Sequence, residues 1–308
     1  MEIFTTMITP FAKSGEVDLD TARRYVDFYR DSGIDGIFAV CQSSEIFFLT
    51  LEERVALNRC VYRHAKEHAH PMTVVSSGHV GDTRDAQARE LCAIAESGTD
   101  ALILITNRLD PDNQGDDIFI ENAEWLLSRL PKDIPLGFYE CPYPYKRLLT
   151  PRILEWALST RRFRYIKDTS CDIETMRMRS RLLAGSGLRL LNANCQTLLE
   201  SVKNGADGYC GVMCNFHPEL YARLAQIYKK EPQRAAELQA LLGSLGFIEG
   251  ALPYPLTAKY HMTLCGIPTE NIARARKGDE MGDYARHAIA EMKRLTDSVA
   301  ERLSFFEG

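Results

Sequence analysis

The sequence predicts a (β/α)8 barrel followed by a C-terminal helical extension, and three observations carry that prediction. First, one short pattern occurs three times, as Ser32-Gly33-Ile34-Asp35-Gly36, Ser97-Gly98-Thr99-Asp100-Ala101 and Asn204-Gly205-Ala206-Asp207-Gly208. Each copy follows an amphipathic stretch and precedes an apolar run, so each reads as a helix-to-strand junction, its glycine suited to a left-handed helix C-cap. Second, the spacing of the copies divides into units of roughly 33–36 residues, the size of a βα unit. Third, 308 residues suit one barrel with an addition, although two ordinary domains would fit the same length, so length counts only beside the other two. An open doubly wound sheet would carry a glycine-rich phosphate loop after its first strand, where this chain has Thr9-Pro10-Phe11.

Eight strands follow in order. Residues 2–8 form the first. Ile37-Phe38-Ala39-Val40 and Leu102-Ile103-Leu104-Ile105 follow the first two copies of the pattern, and Tyr209-Cys210 follows the third. Residues 72–76, 136–139, 164–167 and 188–191 fill the gaps with short apolar or alternating runs. Between them lie helical stretches at residues 18–30, 50–68, 82–97, 116–130, 150–159, 172–184 and 196–203. In the first, Leu19, Ala22, Tyr25, Val26 and Tyr29 share one face and Asp18 is placed to cap it. The barrel is expected over residues 1–225. The extension, residues 226–308, has helical patterns through residue 245 and again from Met281 to Val299.

Composition narrows the function classes. Hydrophobic residues make up 45% and charged residues 26%, ordinary for a globular protein. A net charge of −5 gives no basic field for nucleic acid, and Arg161-Arg162-Phe163-Arg164 reads as a solvated strand entry. No apolar run reaches the ~20 residues needed to span a bilayer. The nine cysteines lack a disulfide-framework or zinc-finger spacing, which fits reduced thiols and a cytoplasmic location.

In a parallel barrel the strand C-termini form the active face. Lys167 ends the sixth strand, Phe163-Arg164-Tyr165-Ile166-Lys167, where alternation puts Phe163, Tyr165 and Lys167 on one face. If that face is the lumen, Lys167 is a desolvated amine able to attack a carbonyl. Its competing roles are a rim lysine or a partner of Asp168. Tyr139 ends the neighbouring strand with a phenol for proton transfer; a core tyrosine is the alternative. Ser43 and Ser44, with their backbone N–H groups, form a candidate carboxylate grip or a simple turn, and Glu45 a brace for their loop. Glu45, His79, Cys210 and His217 are conceivable metal ligands but make no compact motif.

Together Thr9-Pro10-Phe11, Ser43-Ser44-Glu45, Tyr139-x-x-Pro142, Ile166-Lys167-Asp168-Thr169 and Gly208-Tyr209-Cys210-Gly211 resemble the dihydrodipicolinate synthase / N-acetylneuraminate lyase family of class I pyruvate-type aldolases, across about residues 3 to 270. The resemblance implies Lys167 as Schiff-base lysine and Tyr139 as proton relay. It also implies a 2-oxo acid substrate, with no metal or organic cofactor, and a homotetramer. Gln42, Ser43, Ser44, Thr9, Cys210 and Glu140 are the expected substrate-binding residues.

Departures from the family pattern fall around the second substrate. Cys41, Gln42 and Ser44 replace a glycine, a hydroxyl residue and a second glycine in the strand 2 loop. The loop Thr106-Asn107-Arg108-Leu109-Asp110 lacks the synthase's adjacent tyrosines, and the arginine after Tyr-x-x-Pro is displaced to Arg147 or missing. The expected activity is therefore aldol cleavage, condensation or dehydration of a 2-oxo acid such as a 2-keto-3-deoxy sugar acid or 4-hydroxy-2-oxo acid. Gln42, Glu140, Asn107 and Arg108 are expected to face a hydroxylated tail. Dihydrodipicolinate synthesis and a non-catalytic 2-oxo acid binding protein are the alternatives.

Overall fold

The computed structural model describes residues 1–276 and 280–304. Eight strands close a parallel barrel in chain order, with β8 pairing back to β1. They are β1 Glu2–Thr6, β2 Gly36–Phe38, β3 Thr73–Ser76, β4 Ala101–Ile105, β5 Leu136–Tyr139, β6 Phe163–Asp168, β7 Arg189–Asn192 and β8 Gly208–Gly211. The helices around them are α1 Leu19–Asp31, α2 Leu51–Lys66, α3 Arg84–Ser97, α4 Thr106–Leu109, α5 Asp116–Leu127, α6 Pro151–Thr160, α7 Ile173–Leu183, α8 Leu198–Lys203 and α9 Pro218–Ile227. Beyond the barrel run α10 Pro232–Ala251, α11 Leu256–Leu264 and α12 Asp283–Ser304.

Local chemistry sets the helix starts. Asp18 accepts from the backbone N–H groups of Asp20 and Thr21 at the head of α1. Thr50 and Glu53 form a reciprocal capping box on α2, and Thr83, Thr150 and Asp172 cap α3, α6 and α7.

The repeated junction has a second purpose. Gly33, Gly98 and Gly205 turn the chain at φ of +79°, +102° and +102°. The aspartates two residues on reach sideways to the preceding strand. Asp35 accepts from Ile3 N–H, Asp100 from Val74 N–H and Asp207 from Leu190 N–H, at 2.7, 2.7 and 2.8 Å. Each repeat thus ends a helix and pins the base of one neighbouring strand.

Two apolar layers result. One runs through the lumen to α1, α2 and the C-terminal helices, and the other packs α3, α5, α6 and α7 on the outside of β4–β7. Phe163 lies in the outer layer, stacked on Phe138 with ring centroids 4.2 Å apart. It therefore does not share a face with Lys167 as simple alternation suggests. The register of β5 and β6 slips between Phe163 and Tyr165, so alternation into the lumen starts at Tyr165. The expected boundary at residue 225 between barrel and extension falls inside α9, the helix that follows β8. Helix α11 of the extension carried no clear pattern in sequence. Among the described residues no helix is long and apolar enough to cross a membrane.

Candidate active site

Strands β5 and β6 place Tyr139 and Lys167 side by side as paired residues of the ladder. The Lys167 side chain lies 7% exposed, with Nζ 4.3 Å from the centroid of the Tyr139 ring and 5.5 Å from that of Phe38. Among the described residues no carboxylate pairs with it. Asp168, its neighbour in sequence, faces the other way and bonds Arg179 and the backbone N–H and hydroxyl of Ser170. The rim and Asp168-partner roles for Lys167 are both set aside by this geometry.

Tyr139 donates its hydroxyl proton to Gln42 Oε1 at 3.2 Å, and its ring meets Phe38 edge-on. Burial is the first cause that holds its phenol well above the ordinary value, so it stays protonated. The acceptor is an amide oxygen, which carries no proton to pass onward. Among the described residues the Gln42 NH2 group has no hydrogen-bond partner, and Gln42 lines the cavity described below.

The strand 2 loop makes one tight turn over Gln42–Ser44 and ends at Glu45 in a left-handed conformation, φ +60°. A non-glycine residue costs about 1 kcal/mol or more there. Three charge-assisted bonds hold it: Glu45 accepts from Lys259 Nζ at 2.7 Å and from the backbone N–H groups of Arg274 and Ala275 at 2.6 and 2.8 Å. Glu45 thus braces its loop, as expected, against the C-terminal extension.

A cavity of about 540 Å³ opens over these groups at the strand C-termini. Gln42, Ser43, Tyr139 and Lys167 line it; Thr9, Ser44, Cys210 and Glu140 do not. Thr9 donates to Ser44 O, and Ser44 Oγ sits 2.7 Å from both Met7 O and Ala39 O, so both hold the loop from behind. The Ser44 backbone N–H is turned inward onto Cys41 O, which removes it from the expected carboxylate grip. Cys210 is enclosed, its thiol pushed up to about 12 by burial. Glu140 points out of the lumen, where it accepts from Arg179, Leu149 N–H and Thr169 N–H. Burial raises its carboxyl above the ordinary range while Arg179 pulls it back.

The second-substrate groups expected from sequence are also engaged elsewhere. Asn107 donates to the carbonyls of Cys141, Tyr143 and Tyr145, while Arg108 packs over Phe47, its guanidinium 5.5 Å from the ring centroid. Arg147 is clamped by Asp110 and Asp116 at 2.8 Å each. The proposed metal ligands do not converge. Glu45 is occupied as above, His79 bonds Ile105 N–H and Gln87, and His217 stacks on Tyr221 near Glu249.

Sequence reasoning missed part of the wall. Phe47 and Phe48 come from the strand 2 loop, and Tyr143 from the Tyr139-x-x-Pro142 segment. Leu252, Tyr254 and Arg276 come from the extension. The first three stand one to three residues past the segments marked as strand ends, so extending those segments would have found them. The others stand more than 40 residues past the last strand, with no local signal.

Comparison with known proteins agrees with this architecture. The model of the dihydrodipicolinate synthetase family matches residues 1–277. A 4-hydroxy-tetrahydrodipicolinate synthase of Haloarcula marismortui is 24% identical over 305 residues, 97% of this chain and 96% of that protein. An L-2-keto-3-deoxyarabonate dehydratase of Azospirillum brasilense is 37% identical over 91 residues, 30% of this chain and 28% of that one. Among solved structures, a dihydrodipicolinate synthase of Bacillus anthracis superposes with a TM-score of 0.84 at 19% identity, covering 95% of this chain and 97% of that one. With the matched model spanning nearly the whole chain, the protein belongs to the dihydrodipicolinate synthetase family, whose members are class I pyruvate-dependent lyases.

Proposed function

We propose that Lys167 forms a Schiff base with a 2-oxo acid and that the enzyme makes or breaks the C3–C4 bond of a 4-hydroxy-2-oxo acid. The observation that carries this is the buried Lys167 amine, unpaired among the described residues, facing a cavity beside the Tyr139 phenol. The deprotonated amine adds to the C2 ketone, and water leaves to give an iminium. Loss of a C3 proton yields an enamine, whose C3 attacks the carbonyl carbon of an aldehyde. The new alkoxide takes the Tyr139 proton. Water then hydrolyses the imine and frees Lys167, and the reverse sequence cleaves the same bond. Gln42 NH2 and Ser43 lie where the 2-oxo acid carboxylate is held.

The wall beyond the reacting carbons ranks the substrates within this class. Glu140, Asn107 and Arg108 are turned away, so of the four groups expected to read hydroxyls only Gln42 lines the cavity. Phe47, Phe48, Tyr143, Leu252 and Tyr254 make the outer wall largely apolar. A tail with a bulky apolar group fits it better than a polyhydroxylated one such as a 2-keto-3-deoxy sugar acid. Condensation with aspartate semialdehyde ranks last, because Arg147 is held by two aspartates and Arg276, the arginine in the wall, is paired with Glu280. A homotetramer in the cytoplasm completes the reading, with the exposed Phe247 and Ile248 of α10 as apolar contact surface; sedimentation velocity tests the assembly.

Borohydride reduction in the presence of pyruvate tests the chemistry. A stable pyruvate-derived adduct on Lys167 is expected, and its absence overturns the reading. A separate comparison of kcat/KM for pyruvate with an aryl aldehyde, glyceraldehyde and aspartate semialdehyde tests the ranking, which fails if either of the latter two is processed fastest.

A further inference from the structure

On the far side of the barrel, three side chains outside the active site gather around one point. Asp27 lies in the second half of α1, His64 in the last turn of α2, and His68 just beyond its C-cap Glu67. The helices run antiparallel to the strands, so these ends lie at the face opposite the cavity. One ligand atom from each residue falls within 4.8 Å of the others. His64 Nε2 is 2.8 Å and His68 Nε2 3.7 Å from Asp27 Oδ1. In a tetrahedral zinc site with bonds of 2.0–2.1 Å, ligand atoms stand about 3.4 Å apart, so small rotations reach coordination distance.

His68 Nε2 is enclosed yet, among the described residues, has no hydrogen-bond partner. The two imidazole rings stand perpendicular with centroids 5.3 Å apart, both presented to the same carboxylate. Glu67 lies 3.9 Å from His64 Nδ1, where it can orient the ring from behind as outer carboxylates do at metal histidines. Arg30 also touches Asp27 at 2.8 Å, but it holds Asp31 at 3.1 Å as well and so keeps an anion when Asp27 turns to a metal.

We propose that Asp27, His64 and His68 bind a divalent transition-metal ion of the zinc type, which clips α1 to α2. Two imidazoles and one carboxylate leave a coordination position for water, as borderline cations accept. The ion has no part in the Lys167 chemistry.

The test uses the untagged, chelator-treated full-length chain. Zinc(II) is titrated by calorimetry and cobalt(II) by its visible absorption, in wild type, His68→Gln and Asp27→Asn. One equivalent should bind wild type at micromolar concentration, with at least tenfold weakening in each variant. Zinc at a hundredfold excess over Kd should raise the wild-type Tm by roughly 3–6 °C and leave His68→Gln unmoved. His68 lies outside the helix and is 37% exposed, so its substitution leaves the fold intact. Saturation only at millimolar metal, or equal binding by His68→Gln through the cysteines, overturns the proposal.

Discussion

Tyr139 and Lys167 face the lumen, while Glu140 and Asp168, one residue on, face the helices. Both pairs sit at the ends of the same two strands, β5 and β6, yet they live by opposite rules. Outside, both carboxylates have an ionic partner: Arg179 is wholly buried and bonds Glu140, Asp168 and the Leu149 carbonyl. Inside, the Lys167 amine has no ionic partner among the described residues and lies against aromatic faces. A buried ion network fixes geometry, because breaking it strands charge in a poorly solvated place. An unpaired buried amine keeps its reactivity, because no carboxylate competes for it. In the mechanism proposed above, the outer network holds the strand ends still while the inner pair reacts.

The sharpest way to break this contrast is Lys167→Ala, which should abolish pyruvate trapping and turnover while leaving the circular dichroism spectrum and Tm near wild type. Turnover by this variant would place the chemistry elsewhere. Tyr139→Phe keeps the ring against Phe38 and removes only the proton; it should slow turnover roughly 10²–10⁴-fold without loss of stability. A wild-type rate would make the phenol a packing residue.

On the outer face the effect should appear in stability. Arg179→Met leaves two buried carboxylates facing each other, at a cost of roughly 3–5 kcal/mol in denaturant unfolding. Adding Glu140→Gln should recover part of that loss. Equal stabilities of Arg179→Met and wild type would show that the network is dispensable.

The smallest effect concerns a carboxylate with no such arginine. Burial pushes Glu219 from an ordinary 4.5 up to about 7, against a weaker pull from Lys293. A raised folded pKa means the contribution is fully present below pH 4.5 and is lost as pH rises through 7. Glu219→Gln should therefore flatten the decline of Tm between pH 4.5 and 8. An unchanged slope would assign the decline to other groups.

How much could be read beforehand differs between these faces. The alternation along β6 marked Lys167 as inward-facing, and Tyr165 and Lys167 bear this out, although the slip at Phe163 breaks the pattern one step earlier. Glu140 beside Tyr139 read as a substrate group because sequence shows adjacency and hides which face has a partner. That partner, Arg179, lies 39 residues away on α7. Glu45 read correctly as a brace, but what it braces against, Lys259 and the backbone at 274–275, lies more than 200 residues on.

The sequence by itself determined the barrel, its helix caps, the three glycine-aspartate junctions and the placing of Lys167 and Tyr139 at strand ends. All of these rest on periodicity or on contacts between neighbours in the chain or in adjacent βα units. The tertiary structure alone decided which polar residues are spent on the frame and which are left for substrate. It also brought Leu252, Tyr254 and Arg276 of the extension over the cavity. Those outcomes depend on closure of the barrel and on the packing of α10 and α11, which bring together residues that share no local pattern.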